Sequence, residues 1–170
     1  RDINWGGSKI RPEATGYGSV YFAEEMLSTR NESMEGKTCL VSGSGNVAQF
    51  TTEKINQLGG KVVTLSDSGG FIHDPNGICN EKLDFIMDLK NNKRGRISEY
   101  ISEYKSATYH ERNHAIARNP MWSIEADCAF PSATQNEIIE DDAKNLISGG
   151  VFLISEGANM PSTPEAQEVF

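Results

Sequence analysis

The chain has 170 residues, 37% apolar and 24% charged, a composition that suits one globular domain with a sizeable core and excludes a disordered chain. A formal net charge of −8 argues against a general basic surface for nucleic acid or an anionic membrane, and no apolar run reaches the length of a membrane span. The cysteines, Cys39, Cys79 and Cys128, stand far apart without C-x-x-C spacing, which argues against a metal site or a disulfide framework and for a reducing cytoplasm.

A first helix is predicted over Glu13 to Thr29, with Tyr17, Val20, Tyr21, Ala23, Met26 and Leu27 forming a broad apolar face whose aromatics are expected to pack on a sheet. Asn31-Glu32-Ser33 breaks the pattern, and Thr38 to Ser42 reads as a short buried strand. Gly43-Ser44-Gly45-Asn46-Val47-Ala48 follows, and Val47, Thr51, Ile55 and Leu58 then mark a second helix. Strand, glycine turn and helix is the context in which G-x-G-x-x-A signals a dinucleotide site. Gly43 permits the sharp exit, Gly45 lets backbone approach a pyrophosphate, and Ala48 lets helix and sheet pack closely. The amides of the new helix supply partial positive charge to the phosphates.

Gly59-Gly60 ends that helix, and Lys61 to Asp67 reads as the second strand. After a turn at Ser68-Gly69-Gly70, the run Phe71-Ile72 and Ile78 around Asp74-Pro75-Asn76-Gly77 predicts a small hairpin. Asn80 is expected to cap a third helix carrying Leu83, Ile86 and Met87, and Arg96 to Tyr104 has the spacing of a fourth. Residues 105–125 are polar and without period, apart from a possible strand at Ala107-Thr108-Tyr109. Ala126 to Phe130 reads as a buried strand, Ile139 to Ile147 as a helix closed by Gly149-Gly150, and Val151 to Ile154 as the last strand. Thr163-Pro164 then starts a helix two turns from Phe170; with an opening at Arg1 and no initiator Met, this suggests a piece of a longer polypeptide. The alternation predicts an α/β fold: a Rossmann-like, doubly wound, mostly parallel sheet with helices on both faces.

In such a sheet, ligands bind beyond the carboxyl ends of the strands. The loops there are Gly43 to Val47, Asp67 to Gly70, Pro131 to Asn136 and Glu156 to Pro161, all rich in small and amide residues. Asp67, about twenty residues past the glycines, has the position of an acid that accepts from an adenosine 2′-OH, which alone favours NAD. Lys90, with Lys93, Arg94 and Arg96, forms a cationic cluster in an acidic chain, which suits a 2′-phosphate or merely decorates a helix C-terminus. For catalysis the sequence offers little. His73, His110 and His114 neighbour no nucleophile and read as surface residues, and Glu24-Glu25 and Asp141-Asp142 read as solvated helix acids.

Four stretches together carry a resemblance: Gly6 to Gly18, Ser42 to Gln49, Ala133-Thr134-Gln135-Asn136-Glu137 and Glu156-Gly157-Ala158-Asn159-Met160-Pro161. In that order they are similar to the hexameric glutamate dehydrogenases, over essentially the whole chain. The resemblance implies the cofactor domain of an enzyme that interconverts L-glutamate with 2-oxoglutarate and ammonia. It implies that Thr15 holds the nicotinamide carboxamide and that Gly43, Ser44, Gly45, Asn46 and Val47 meet the pyrophosphate region. Asn159 and the loop Ala133, Thr134, Gln135 would line the nicotinamide ribose. Asp67-Ser68 with Lys90 and Arg96 match the NADP-preferring members, so NADP is expected over NAD. Ser132 replaces a common cysteine, and the stretch from His110 to Asn119 looks longer than in bacterial relatives, as if for a surface loop or a subunit contact. The family's catalytic lysine and aspartate belong to an N-terminal domain outside this chain, so no catalytic residue is expected here and the chain alone is expected to be inactive. A homohexamer without nucleic-acid or membrane partners is the implied full protein. A leucine, phenylalanine or valine dehydrogenase, a non-enzymatic nucleotide-binding module and, more distantly, an S-adenosylmethionine site remain as alternatives.

Overall fold

The computed structural model describes residues 13–170, so the stretch Gly6 to Pro12 lies outside the described residues. Its elements are α1 (Ala14–Ser28), β1 (Thr38–Val41), α2 (Asn46–Gln57), β2 (Lys61–Asp67), β3 (Gly70–His73), α3 (Asn80–Met87), α4 (Tyr100–Glu103), β4 (Thr108–Glu111), β5 (Cys128–Phe130), α5 (Glu140–Ser148), β6 (Leu153–Ile154) and α6 (Pro164–Val169). One sheet has the order β4-β3-β2-β1-β5-β6. β2, β1, β5 and β6 run parallel, and β3 and β4 are added antiparallel at one edge.

Alternation along the strands sorts the core onto two faces. Cys39, Val41, Cys128 and Phe130 pack with Val20, Ala48, Ile55 and Leu83, so α1, α2 and α3 cover one face. Leu40 and Ala129 point the other way, toward Trp122, Ala143, Leu146 and Ala166 of the α5–α6 side. β2 breaks this period, because Val62 and Leu65 share the first face while Val63 lies on the second. The cause is a register shift opposite Cys39 and Leu40, where Thr64 replaces part of the ladder with its hydroxyl. Thr64 Oγ1 accepts from Val41 N at 3.0 Å and donates to Val41 O at 3.2 Å. The bulge re-phases β2 so that Ser66 and Asp67 arrive beside the glycine turn.

Several sequence expectations require correction. The hairpin lies one turn earlier than predicted: β2 and β3 pair antiparallel from Asp67↔Gly70 to Thr64↔His73. Asp74-Pro75-Asn76-Gly77 does turn, with Gly77 N donating to Asp74 O, but it returns Ile78 N to Val62 O instead of to β3. Cys79, not Asn80, occupies the N-cap of α3. The predicted fourth helix is a 3-10 turn, Ile97–Glu99, followed by the single turn of α4. The aromatics of α1 do not pack on the sheet. Tyr17 meets Phe50 of α2 edge-on, and Tyr21 and Phe22 are more than half exposed.

Candidate functional site

The chain leaves β1 through Gly43 at φ +84°, where an added Cβ would stand 2.9 Å from Ser132 O. Glycine is required there both by conformation and by the close approach of the β5 loop. Three strand ends are tied together by serines: Gly43 N donates to Ser66 Oγ at 2.8 Å, and Ser132 N donates to Ser42 Oγ at 2.9 Å. Gly45, the N-cap of α2, has open space where a Cβ would be, and no side chain caps the amides that follow it. The helix end therefore presents unsatisfied N–H donors beside a position where bulk is absent, which is the requirement of a pyrophosphate cradle.

Gln49 braces this turn from below. Its Nε2 donates to Ser44 O at 2.7 Å, and its amide exchanges hydrogen bonds of 3.2 and 3.1 Å with that of Asn91. Asn91 lies in a wider, π-helical turn, Asp88–Asn92, that extends α3 and carries Lys90. Lys90 Nζ lies 3.2 Å from Asp67 Oδ2 and donates to Gly95 O. Asp67 Oδ2 also accepts from Ile97 N at 2.9 Å, and its Oδ1 accepts from Gly69 N. Burial by itself would raise this carboxyl; the two amides and the Lys90 ammonium outweigh it and hold it below the usual carboxylate range. The Arg96 guanidinium donates to Ser68 Oγ at 2.8 Å on the exposed side of the same turn.

A cleft of about 640 Å3 opens over these strand ends. Of the sequence-derived site residues, Gly43, Ser44, Gly45, Asn46, Val47, Asp67, Ser68, Ala133 and Thr134 line it. Lys90 and Arg96 are not among the lining residues, but each bonds a side chain that is: Lys90 that of Asp67 and exposed Arg96 that of Ser68. Gln135 is exposed between the lining residues Thr134 and Asn136. Asn159 is exposed in the loop after β6, which is bonded to the β5 loop by Gly157 N and Ala158 N to Pro131 O and by Asn136 N to Met160 O. Thr15 lies in a second depression of about 450 Å3, with Gly18, Phe22, Ser155 and Glu156. The two hollows meet closely in the fold: Gly157, next to Glu156, packs on Val47, and Gly16, next to Thr15, packs on Val47 O.

Sequence reasoning missed part of the wall. Glu137 lines the cleft and accepts from Ala133 N at 3.1 Å. Burial pushes its carboxyl up despite the Ser42 hydroxyl and the amides of Ala133 and Thr134. Arg112, His114, Ala117 and Asn119 also line the cleft, although their stretch has no period and reads as surface. No group of three or more His, Cys, Asp and Glu among the described residues could hold a metal ion.

Residues 6–170 match the family model of the glutamate/leucine/phenylalanine/valine dehydrogenases. The chain belongs to this family. An NAD(P)-specific glutamate dehydrogenase of Xylanibacter ruminicola is 60% identical over all 170 residues, which span 37% of that relative. The NADP-specific glutamate dehydrogenase of Giardia intestinalis is 52% identical, again over the whole chain and 37% of its own length. Glutamate dehydrogenase 2 of Plasmodium falciparum superimposes with a TM-score of 0.88 at 52% identity, over 99% of this chain and 36% of that structure. The chain thus spans little more than a third of the family members it matches. Most of the similar glutamate dehydrogenases are named NADP-specific; one from Bacteroides fragilis, 43% identical, is named NAD-specific.

Proposed function

We propose that the cleft binds NADP(H) and that the full protein interconverts L-glutamate with 2-oxoglutarate and ammonia. The observation that carries the choice of NADP is the state of Asp67. Both its oxygens are taken up inside the fold, by Gly69 N, Ile97 N and Lys90, so it serves as the anchor of a cation instead of a free acceptor for a ribose 2′-OH. Ser68, Lys90 and Arg96 then offer a hydroxyl and two cationic groups to a 2′-phosphate. Gly43 to Val47 would receive the pyrophosphate on the α2 amides. Thr15 would hold the carboxamide, and Asn159 with the loop Ala133, Thr134 and Gln135 the nicotinamide ribose.

When bound, the nicotinamide ring supplies or accepts a hydride. The residues of this chain bind and orient it; the lysine and aspartate that handle the amino acid are assigned to the rest of the protein. Assembly as a homohexamer in the cytoplasm completes the reading. Among the described residues no helix is long and apolar enough to cross a membrane.

The test is the absorbance of NADPH in the full protein given 2-oxoglutarate and ammonium. Oxidation of NADPH with these substrates is expected. Turnover only with a branched or aromatic 2-oxo acid would replace glutamate by another substrate of the same family. The 170-residue chain alone is expected to bind NADPH without turning it over, and measurable turnover by it would overturn the division of labour.

A further inference from the structure

The segment Arg112 to Asn119 follows edge strand β4 and crosses to the other side of the sheet before β5. It lacks regular structure, yet it is fastened at both ends to the margins of the cleft. At its start, Arg112 N donates to Gly69 O at 2.8 Å, which joins it to the turn that bears Ser68. At its end, Asn119 N donates to Asp142 Oδ1 at 2.7 Å, and Asp142 Oδ2 also accepts from Ile139 N, where α5 begins. Between these ties the Arg112 guanidinium holds the carbonyls of Arg118 and Ala117, at 2.6 and 3.0 Å. Asn113 closes a small turn, with its side chain accepting from Ala115 N and its carbonyl from Ile116 N. His114 is carried at that turn. It is exposed, lines the cleft, and has no hydrogen bond or ion pair among the described residues.

The cleft is already divided by the reading above. The pyrophosphate belongs at the α2 amides, and the adenosine ribose with its 2′-phosphate at Asp67 and Ser68. An adenine attached to that ribose must lie beyond the β2 end, away from α2. The lining not yet assigned includes His114 and Ala117, an aromatic ring and an apolar side chain on the segment whose start, Arg112, is bonded to Gly69 of the turn at the β2 end. A flat base with an apolar face fits these groups, and imidazole is among the rings on which bases stack.

We propose that the 112–119 segment is the adenine wall of the cofactor cleft, with His114 stacking on the base and Arg112 holding the loop in place. His114 is thereby a cofactor-binding residue, and Arg112 a positioning residue. The proposal rests on the NADP reading of the cleft.

The test uses the full protein, titrated calorimetrically with adenosine 2′,5′-bisphosphate and, separately, with nicotinamide mononucleotide. His114→Ala is expected to weaken the adenosine compound about tenfold, in keeping with the loss of one base–aromatic contact. His114→Phe should restore it to within about twofold by the same stacking argument. Arg112→Ala should copy the loss for the adenosine compound, and neither alanine variant should alter binding of the mononucleotide. The proposal is overturned if His114→Ala binds the adenosine compound as the parent does. It is equally overturned if His114→Lys restores binding and His114→Phe does not, since the contact would then be with phosphate. If the parent protein fails to bind adenosine 2′,5′-bisphosphate at all, the NADP reading itself is wrong and this assignment falls with it.

Discussion

Two glycines of α1, on opposite faces of the helix, should respond in opposite directions to the same substitution. Gly16 sits where α1 crosses α2, and a Cβ there would stand 2.8 Å from both Thr51 N and Val47 O and 2.9 Å from Phe50 Cβ. Two of those neighbours are backbone atoms, which cannot rotate aside, so α1 must withdraw by about 0.6 Å to regain an ordinary contact. Overpacking of this kind costs about 1–3 kcal/mol, and the absence of flexible neighbours puts Gly16→Ala at the upper end. Helix propensity returns about 0.8–1 kcal/mol, leaving a net loss of about 2 kcal/mol. For a domain of this size that lowers Tm by about 4–8 °C. Gly18, two residues on, is exposed and has nothing within 4 Å of the same added atom. Gly18→Ala therefore keeps only the propensity gain and should raise Tm by about 2–3 °C. Thermal unfolding followed by far-UV circular dichroism, without nucleotide, reads both. A Gly16→Ala protein as stable as its parent, or a Gly18→Ala protein that melts earlier, would refute the helix-crossing argument.

Tyr100 donates to buried Asp74 at 2.6 Å while its ring packs with Phe85 and Tyr104, so Tyr100→Phe keeps the packing and removes one hydrogen bond to a charged group. A loss of about 1.5–3 kcal/mol in urea unfolding is expected, and a change below about 0.5 kcal/mol would contradict the role of this network. For Asp74, burial favours the protonated form, but Lys82, Tyr100 and Ser106 outweigh it and hold the carboxyl below its ordinary value. Its contribution is therefore present above the ordinary value of 3.8 and is lost as pH falls through the lower folded value. An Asp74→Asn variant should be less stable than the parent at pH 7 and converge with it in strong acid; a constant gap across a urea series at varied pH would count against this. Asp142 behaves oppositely: burial, only partly offset by the amides of Asn119 and Ile139, raises its carboxyl. Its contribution is full below the ordinary carboxylate value and declines as pH rises through the raised one, so Asp142→Asn should flatten the decline in urea midpoint on that side.

The parallel core of the fold was legible because each of its signals is local. β1, the glycine turn and α2 follow one another within twenty residues, and the apolar period of α2 survives in the structure as the face carrying Ala48 and Ile55. The antiparallel edge is misplaced by the sequence pattern because two turn signals compete. Asp74-Pro75-Asn76-Gly77 has the stronger turn chemistry, but only the turn after Asp67 leaves two residues runs that can pair in register. The position of Asp67 was readable and its occupation was not. Two of the three ligands of its carboxylate, beside the local Gly69 amide, come from Ile97 and Lys90, thirty and twenty-three residues away. The Arg112–Asn119 segment reads as surface in the sequence because a stretch without period carries no signal of where its ends are tied. The bonds that bring it to the cleft run to Gly69 and Asp142, far off in sequence.

The assignment of the cleft to NADP is tested most directly by the affinities for NADPH and NADH in the parent protein and in a Lys90→Ala/Arg96→Ala double variant. NADPH is expected to bind at least about tenfold tighter than NADH in the parent, as one to two charge-assisted phosphate contacts imply. The double change should erase that preference while leaving NADH within about twofold, because the phosphate contacts are the part removed. Equal affinities in the parent, or a preference that survives the loss of both cations, would contradict it.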